Sequence, residues 1–261
     1  MNIEKFFTRP YSNRQLIEFV DDAKMARGPF VASFKVVVAV GSLFIPMIVG
    51  IPVLAGMGIR EAHNLHKRRG LVITLVKKSD LEQFKLPPAH PINRTIYVAH
   101  PVILEQYIPF ADFHRSVFEQ KFNELVTLLS HLGAKTIEAY HVRGWGTEFA
   151  ASLNLNLVEI VQAKGNVKEK TEQTLLYRAV LEGHTPLMLE NLKWYHTEPS
   201  WQQFADQQLH HGLQTFSLYH RYVHDFGINA TTAEKLKKAG FELGGNFDDH
   251  ISTEWYVTGT F

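Results

Sequence analysis

From Val36 to Ile59 the chain reads VVVAVGSLFIPMIVGIPVLAGMGI, with no charged residue and Ser42 as its only conventional polar side chain. As an α-helix this run would extend about 36 Å at ~1.5 Å per residue. A bilayer has a hydrocarbon core of about 30 Å, crossed by roughly 20 apolar residues. A buried core helix is the soluble alternative, but a helix apolar all round is unusual in a domain of this size. The pattern therefore predicts a transmembrane segment over residues 36–59. Pro46 removes the hydrogen bond to the Ser42 carbonyl, and Pro52 the one to Ile48. With Gly41, Gly50, Gly56 and Gly58, they predict a kinked helix or a re-entrant hairpin. The freed carbonyls need partners from neighbouring helices or water, and small residues let helices approach closely, so self-association is expected.

Elsewhere the periodicities are shorter. Ser12-Asn13-Arg14-Gln15 has capping-box spacing, and Leu16, Ile17, Val20 and Ala23 then form a stripe, which predicts an amphipathic helix ended by Gly28-Pro29. Leu71 to Lys77 is β-branched and apolar on both sides, as in a buried strand. Pro87, Pro88 and Pro91 mark a connector, and Thr95 to Ala99 a second strand. Phe118, Phe122, Leu125, Leu129 and Leu132 recur at helical spacing within Asp112–Leu132, which Gly133 stops. Thr136 to Arg143 predicts one arm of a hairpin and Glu148 to Val161 the returning arm, alternating cleanly from Phe149 to Leu157. Leu175–Leu181 and Thr215–His224 read as strands. Ser200-Trp201-Gln202-Gln203 reads as a capping box and Thr231–Glu234 as the start of a short helix. A last hairpin is expected to set Phe241, Leu243 and Phe247 against Trp255, Val257 and Phe261.

The fold class expected is α+β: an N-terminal amphipathic helix region (residues 1–35), one Pro/Gly-broken transmembrane segment (36–59), a basic juxtamembrane helix, strand and connector (60–93), and a soluble α+β domain (94–261) with a largely antiparallel sheet and a few packed helices. Hydrophobic residues at 45% and a mean hydropathy of -0.12 are ordinary for a globular chain, so one span at most is expected.

Charge sharpens this picture. Residues 1–35 carry six Lys and Arg against four acids, and residues 60–80 six against two, while the rest is mildly acidic. Basic collars thus flank the apolar run, as contact with anionic head groups requires. The collar after it is the richer, which by the positive-inside rule places the large C-terminal part in the cytoplasm. The acidic balance elsewhere argues against nucleic acid as a partner. The chain has no cysteine, which excludes disulfides, thiolate metal sites and a cysteine nucleophile.

Motif-marked chemistry is absent: no Walker A, GxGxxG, HExxH or GxSxG pattern occurs. The residues expected to contact the membrane are Val36, Pro46, Gly50, Pro52, Gly56, Arg60, Lys67, Arg68 and Arg69. Trp145, held between two glycines, is a candidate anchor for an interface or partner, with packing over a sheet edge as its other role. His220 and His224 share a strand face and are the candidate metal ligands, with Asp225 or Asp248-Asp249-His250 to complete a site. No cofactor is expected. The function expected is that of a non-enzymatic membrane effector that self-assembles through its α+β domain and acts on the bilayer, up to forming a pore. The alternatives are a membrane-tethered sensor or scaffold with a ligand or protein partner, and a tethered metal-dependent hydrolase.

Overall fold

A computed structural model describes residues 3–23, 73–146, 175–183, 189, 191–223, 226–247 and 252–261. The apolar run 36–59, Arg60 and Lys67–Arg69 of its collar, the arm 148–161, His224 and residues 248–251 lie outside them. The chain forms two compact units, Met1–Phe113 with Gly227–Asp248, and His114–Phe226 with Asp249–Phe261. Each has helices and one antiparallel-rich, four-stranded sheet, so the class is α+β. No helix among the described residues is long and apolar enough to cross a membrane.

The first unit opens with two short helices, α1 (Ile3–Phe7) and α2 (Tyr11–Arg14). Its strands are β1 (Leu16–Val20), β2 (Ile73–Lys77), β3 (Ile96–Ala99) and β4 (Tyr107–Pro109), in the order β2-β1-β3-β4. β1 runs parallel to β2, from Leu16 opposite Ile73 to Val20 opposite Lys77, and antiparallel to β3. The amphipathic helix expected from Ser12 onward is thus corrected: helix stops at Arg14, and Leu16–Val20 is an inner strand. The physical reason is burial on both faces. Ile17 and Phe19 enter a cluster with Phe6, Val76, Phe84, Tyr97, Ala99 and Tyr107, while Leu16 and Val20 are buried on the other side. A β-branched and aromatic five-residue segment suits a pleated surface. Phe84 sits at the centre of the cluster, with ring centroids 5.2 Å from Phe19 and 5.3 Å from Tyr107, and edge-to-face pairs of this kind each add about 0.5–1.5 kcal/mol beyond burial. Past Asn229, whose side chain caps Thr232 N at 3.0 Å, α5 (Ala230–Lys238) supplies Ala233 and Leu236 to the unit's interior; α3 and α4 belong to the second unit.

The second unit contains α3 (Phe113–His131, from His114 onward), β5 (Thr136–Arg143), β6 (Leu175–Val180), α4 (Pro199–His211), β7 (Thr215–Tyr222) and β8 (Thr253–Thr260). Its sheet has the order β6-β5-β8-β7, all neighbours antiparallel. The expected terminal hairpin does not form. β8 pairs instead with β5 and β7, because Trp255 and Val257 belong to a sheet face that needs neighbours on both sides. Residues 241–243 join the first unit, where Ile96 N donates to the Glu242 carbonyl at 3.0 Å and Ala111 N to that of Leu243 at 2.8 Å. The capping box at Ser200 is also pre-empted. Pro199 already occupies the first helical turn, where its missing N–H costs nothing, and Glu198 is the N-cap. Gly212 ends α4 in the left-handed conformation, as expected.

Candidate functional site

Period-two alternation sends Phe216, His220 and Tyr222 of β7 to one face of the second sheet, beside Trp255 and Val257 of β8. α3 covers that face with Phe118 and Phe122, whose rings lie 5.0 and 4.7 Å from Trp255. His220 is therefore sealed in: it is 3% exposed, with Phe118 at 4.9 Å, Phe122 at 5.9 Å and Trp201 at 6.2 Å between ring centroids. Its ring has a backbone hydrogen bond with Phe118, and Nε2 has no hydrogen-bond partner among the described residues. Burial, aided by the nearby positive charge of Lys121, pushes the imidazole down to about 3.

Lys121 occupies the same helix one turn from Phe118. It is 5% exposed, ion-paired with Glu198 at the start of α4, and its ammonium lies 4.9 Å from the centre of the Trp194 ring. Glu124, one turn further on, accepts the backbone N–H groups of Lys193 and Tyr195 at 2.8 Å each. Two charged side chains of α3 thus bind the 193–198 segment and fix where α4 begins. A buried ammonium is tolerated only when paired and hydrogen-bonded, and here its partner is a helix-start carboxylate.

This geometry is structural chemistry more than reactive chemistry. A histidine held neutral and walled by aromatic rings does not exchange protons with a substrate, and a neighbouring ammonium repels a metal cation. Among the described residues no three metal-ligating side chains converge. His224, the other expected ligand, lies outside them. Trp145 is 7% exposed and packs at 5.6 Å from Phe118 and 6.3 Å from Tyr222. Its carbonyl accepts the indole N–H of Trp255 at 2.8 Å. Of the two roles offered for Trp145, an anchor or a ring packed over a sheet edge, its burial in the second unit agrees with the packed one. Of the expected site residues, the structure describes Trp145 and His220 alone; Val36, Pro46, Gly50, Pro52, Gly56, Arg60, Lys67, Arg68 and Arg69 fall outside the described residues.

Sequence reasoning missed the Lys121–Glu198 pair, although a signal was available. Residue 121 lies on the apolar stripe itself, three positions after Phe118 and four before Leu125, where a lysine has to find an acid or leave the core. In the first unit the corresponding buried cation is Arg14, 3% exposed. Its guanidinium donates to the Leu104 carbonyl at 3.4 Å and lies 5.6 Å from the Tyr11 ring.

His220 gives a prediction with a defined sign. Its folded-state value lies below the ordinary 6.5, so below pH 6.5 the unfolded chain takes up a proton that the folded chain does not. The stability it supports is complete above pH 6.5 and is lost as pH falls toward 3, by up to about tenfold in the unfolding constant per pH unit. His220→Leu is expected to flatten that acid limb. Urea midpoints from pH 7 to 4 check it, and an unchanged slope would place the titrating group elsewhere.

The chain matches no protein-family model, no curated protein and no solved structure.

Proposed function

We propose that this chain is a non-enzymatic membrane effector: it contacts the bilayer through Val36–Ile59, self-assembles, and perturbs the membrane it contacts. The observation that carries the reading is the uncharged run bracketed by basic collars, Lys24, Arg27 and Lys35 before it and Arg60, Lys67, Arg68 and Arg69 after it. Apolar length provides the hydrophobic term, and each lysine or arginine near an anionic surface adds about 1 kcal/mol. The position of the run supports this. β1 and β2 hydrogen-bond directly to each other, and residues 21–72 are inserted between these neighbouring strands.

The test is release of a trapped dye from anionic vesicles, comparing the full chain with one in which residues 36–59 are replaced by an equally long Gly/Ser sequence. Truncating residues 1–60 would not serve, because it deletes β1 from between β2 and β3. Dye release by the full chain and none by the replacement is expected; equal release by both removes the reading. A second reading, a tethered binding module, draws on the outward face of the second sheet. There Tyr219 is 54% exposed, lies tilted against Tyr256 with ring centroids 5.2 Å apart, and carries Arg221 at 5.2 Å over its ring. For such a module, an unrelated apolar segment in place of Val36–Ile59 leaves partner binding intact, and the full chain binds vesicles without releasing dye.

A further inference from the structure

The pairing of β1 with β2 constrains how the apolar run can meet a bilayer. The two strands are parallel neighbours over five residue pairs, from Leu16 opposite Ile73 to Val20 opposite Lys77. Neighbouring strands lie about 4.8 Å apart. The far end of the pair is fastened by side chains as well: Asp21 accepts from Lys78 at 2.8 Å, Asp22 accepts the Ser79 N–H at 3.2 Å, and Lys78 also donates to Asn93 at 2.9 Å. The chain therefore leaves the sheet after Val20 and rejoins it at Ile73, beside Leu16.

A single crossing within residues 21–72 would put about 30 Å of hydrocarbon between the two flanks. Strands that share a hydrogen-bonded ladder cannot be separated by that layer. Any odd number of crossings fails in the same way. Two complete crossings need roughly 40 apolar residues, whereas the uncharged run ends at Ile59, with Arg60 on one side and Lys35 on the other.

We infer that Val20 and Ile73, and with them the folded flanks of residues 21–72, lie on the same side of the membrane, so that the chain makes no net crossing between them. The inference rests on the membrane reading above and rules out a single-pass anchor within residues 21–72.

The natural absence of cysteine makes the test direct. Single cysteines are introduced at exposed positions on either flank, Ala23→Cys and Glu82→Cys, with Gln83→Cys in place of the latter should it fail to fold. Full-length protein is added to preformed, sealed anionic vesicles, recovered by flotation, and treated with a membrane-impermeant maleimide before and after detergent. Both positions are expected to label completely without detergent. If one labels only after detergent, the chain crosses the bilayer between them and the inference is overturned while the membrane reading stands. If the protein never floats with the vesicles, the membrane reading falls, and the inference with it.

Discussion

Gly259→Ala is expected to unfold the second unit. Gly259 lies in β8, between Ile137 of β5 and Phe216 of β7. A Cβ there would collide with the Thr136 carbonyl and approach the Phe216 ring at 2.5 and 2.8 Å. Neither neighbour has room to yield. Thr136 is tied by its hydroxyl to Thr260 Oγ1 at 2.9 Å and to Thr260 N at 3.0 Å, and Phe216 is wedged between Phe204 and Phe261 at 5.9 and 5.1 Å. Overpacking against a fixed backbone atom exceeds the usual 1–3 kcal/mol, so a loss above ~3 kcal/mol is expected. Gly212→Ala is the control. It adopts a positive φ of 65° with nothing within 4 Å of the new methyl, so it costs only about 1–2 kcal/mol of left-handed backbone strain. Urea denaturation followed by tryptophan fluorescence separates the two. A Gly259→Ala chain as stable as the parent would mean that β5, β8 and β7 are not in this register.

The second large effect concerns the buried ion pair. Glu198→Gln leaves the Lys121 ammonium without its counter-charge beside the Trp194 ring and the neutral His220. Removing one partner of a buried pair costs about 3–5 kcal/mol, and the partial exposure of Glu198, 26%, sets the lower end of that range here. Combining it with Lys121→Met is expected to recover most of the loss, because no uncompensated charge remains. A double-mutant cycle on urea midpoints measures this directly. A single-variant cost below ~1 kcal/mol, typical of exposed helix pairs such as Arg115–Glu119, would show that the pair is solvated. The expected recovery also distinguishes a structural lysine from one retained for chemistry, since Lys121→Met would then abolish an activity while leaving the fold intact.

How much of this was legible in the sequence depended on element length. The long apolar stripe of α3, the β-branched β2 and the alternation in β7 all specified their own structure. β1 did not. Five residues, Leu-Ile-Glu-Phe-Val, satisfy a helical stripe and a strand equally well, and what decides between them is burial by residues far along the chain, such as Tyr97 and Tyr107, which share a cluster with Ile17 and Phe19. The last hairpin failed for a related reason. Alternation reveals which side of a strand is buried but not which strand it pairs with, so Trp255 and Val257 were read correctly as inward and assigned the wrong neighbours.

The site was legible in the same partial way. The inward direction of His220 follows from the alternation of Phe216, His220 and Tyr222. That α3 and α4 close over that direction, turning a candidate ligand into a neutral core histidine, depends on the Lys121–Glu198 and Glu124 contacts that fasten residues 193–198 to α3. The parallel pairing of β1 with β2 was equally hidden, since nothing in residues 16–20 names residues 73–77 as partners. Yet that pairing gives the apolar run its topological meaning.

The central claim is that Val36–Ile59 takes the protein to lipid while both folded units remain intact outside it. Flotation on a density gradient with anionic vesicles tests this most directly, using the full chain and the equal-length Gly/Ser replacement of residues 36–59, each also checked by urea denaturation. The account predicts that the full chain rises with the vesicles and the replacement stays at the bottom, with the same unfolding midpoint for both by far-ultraviolet circular dichroism, since all four tryptophans belong to the second unit. A full chain that stays at the bottom, or a replacement that rises equally well, would contradict it.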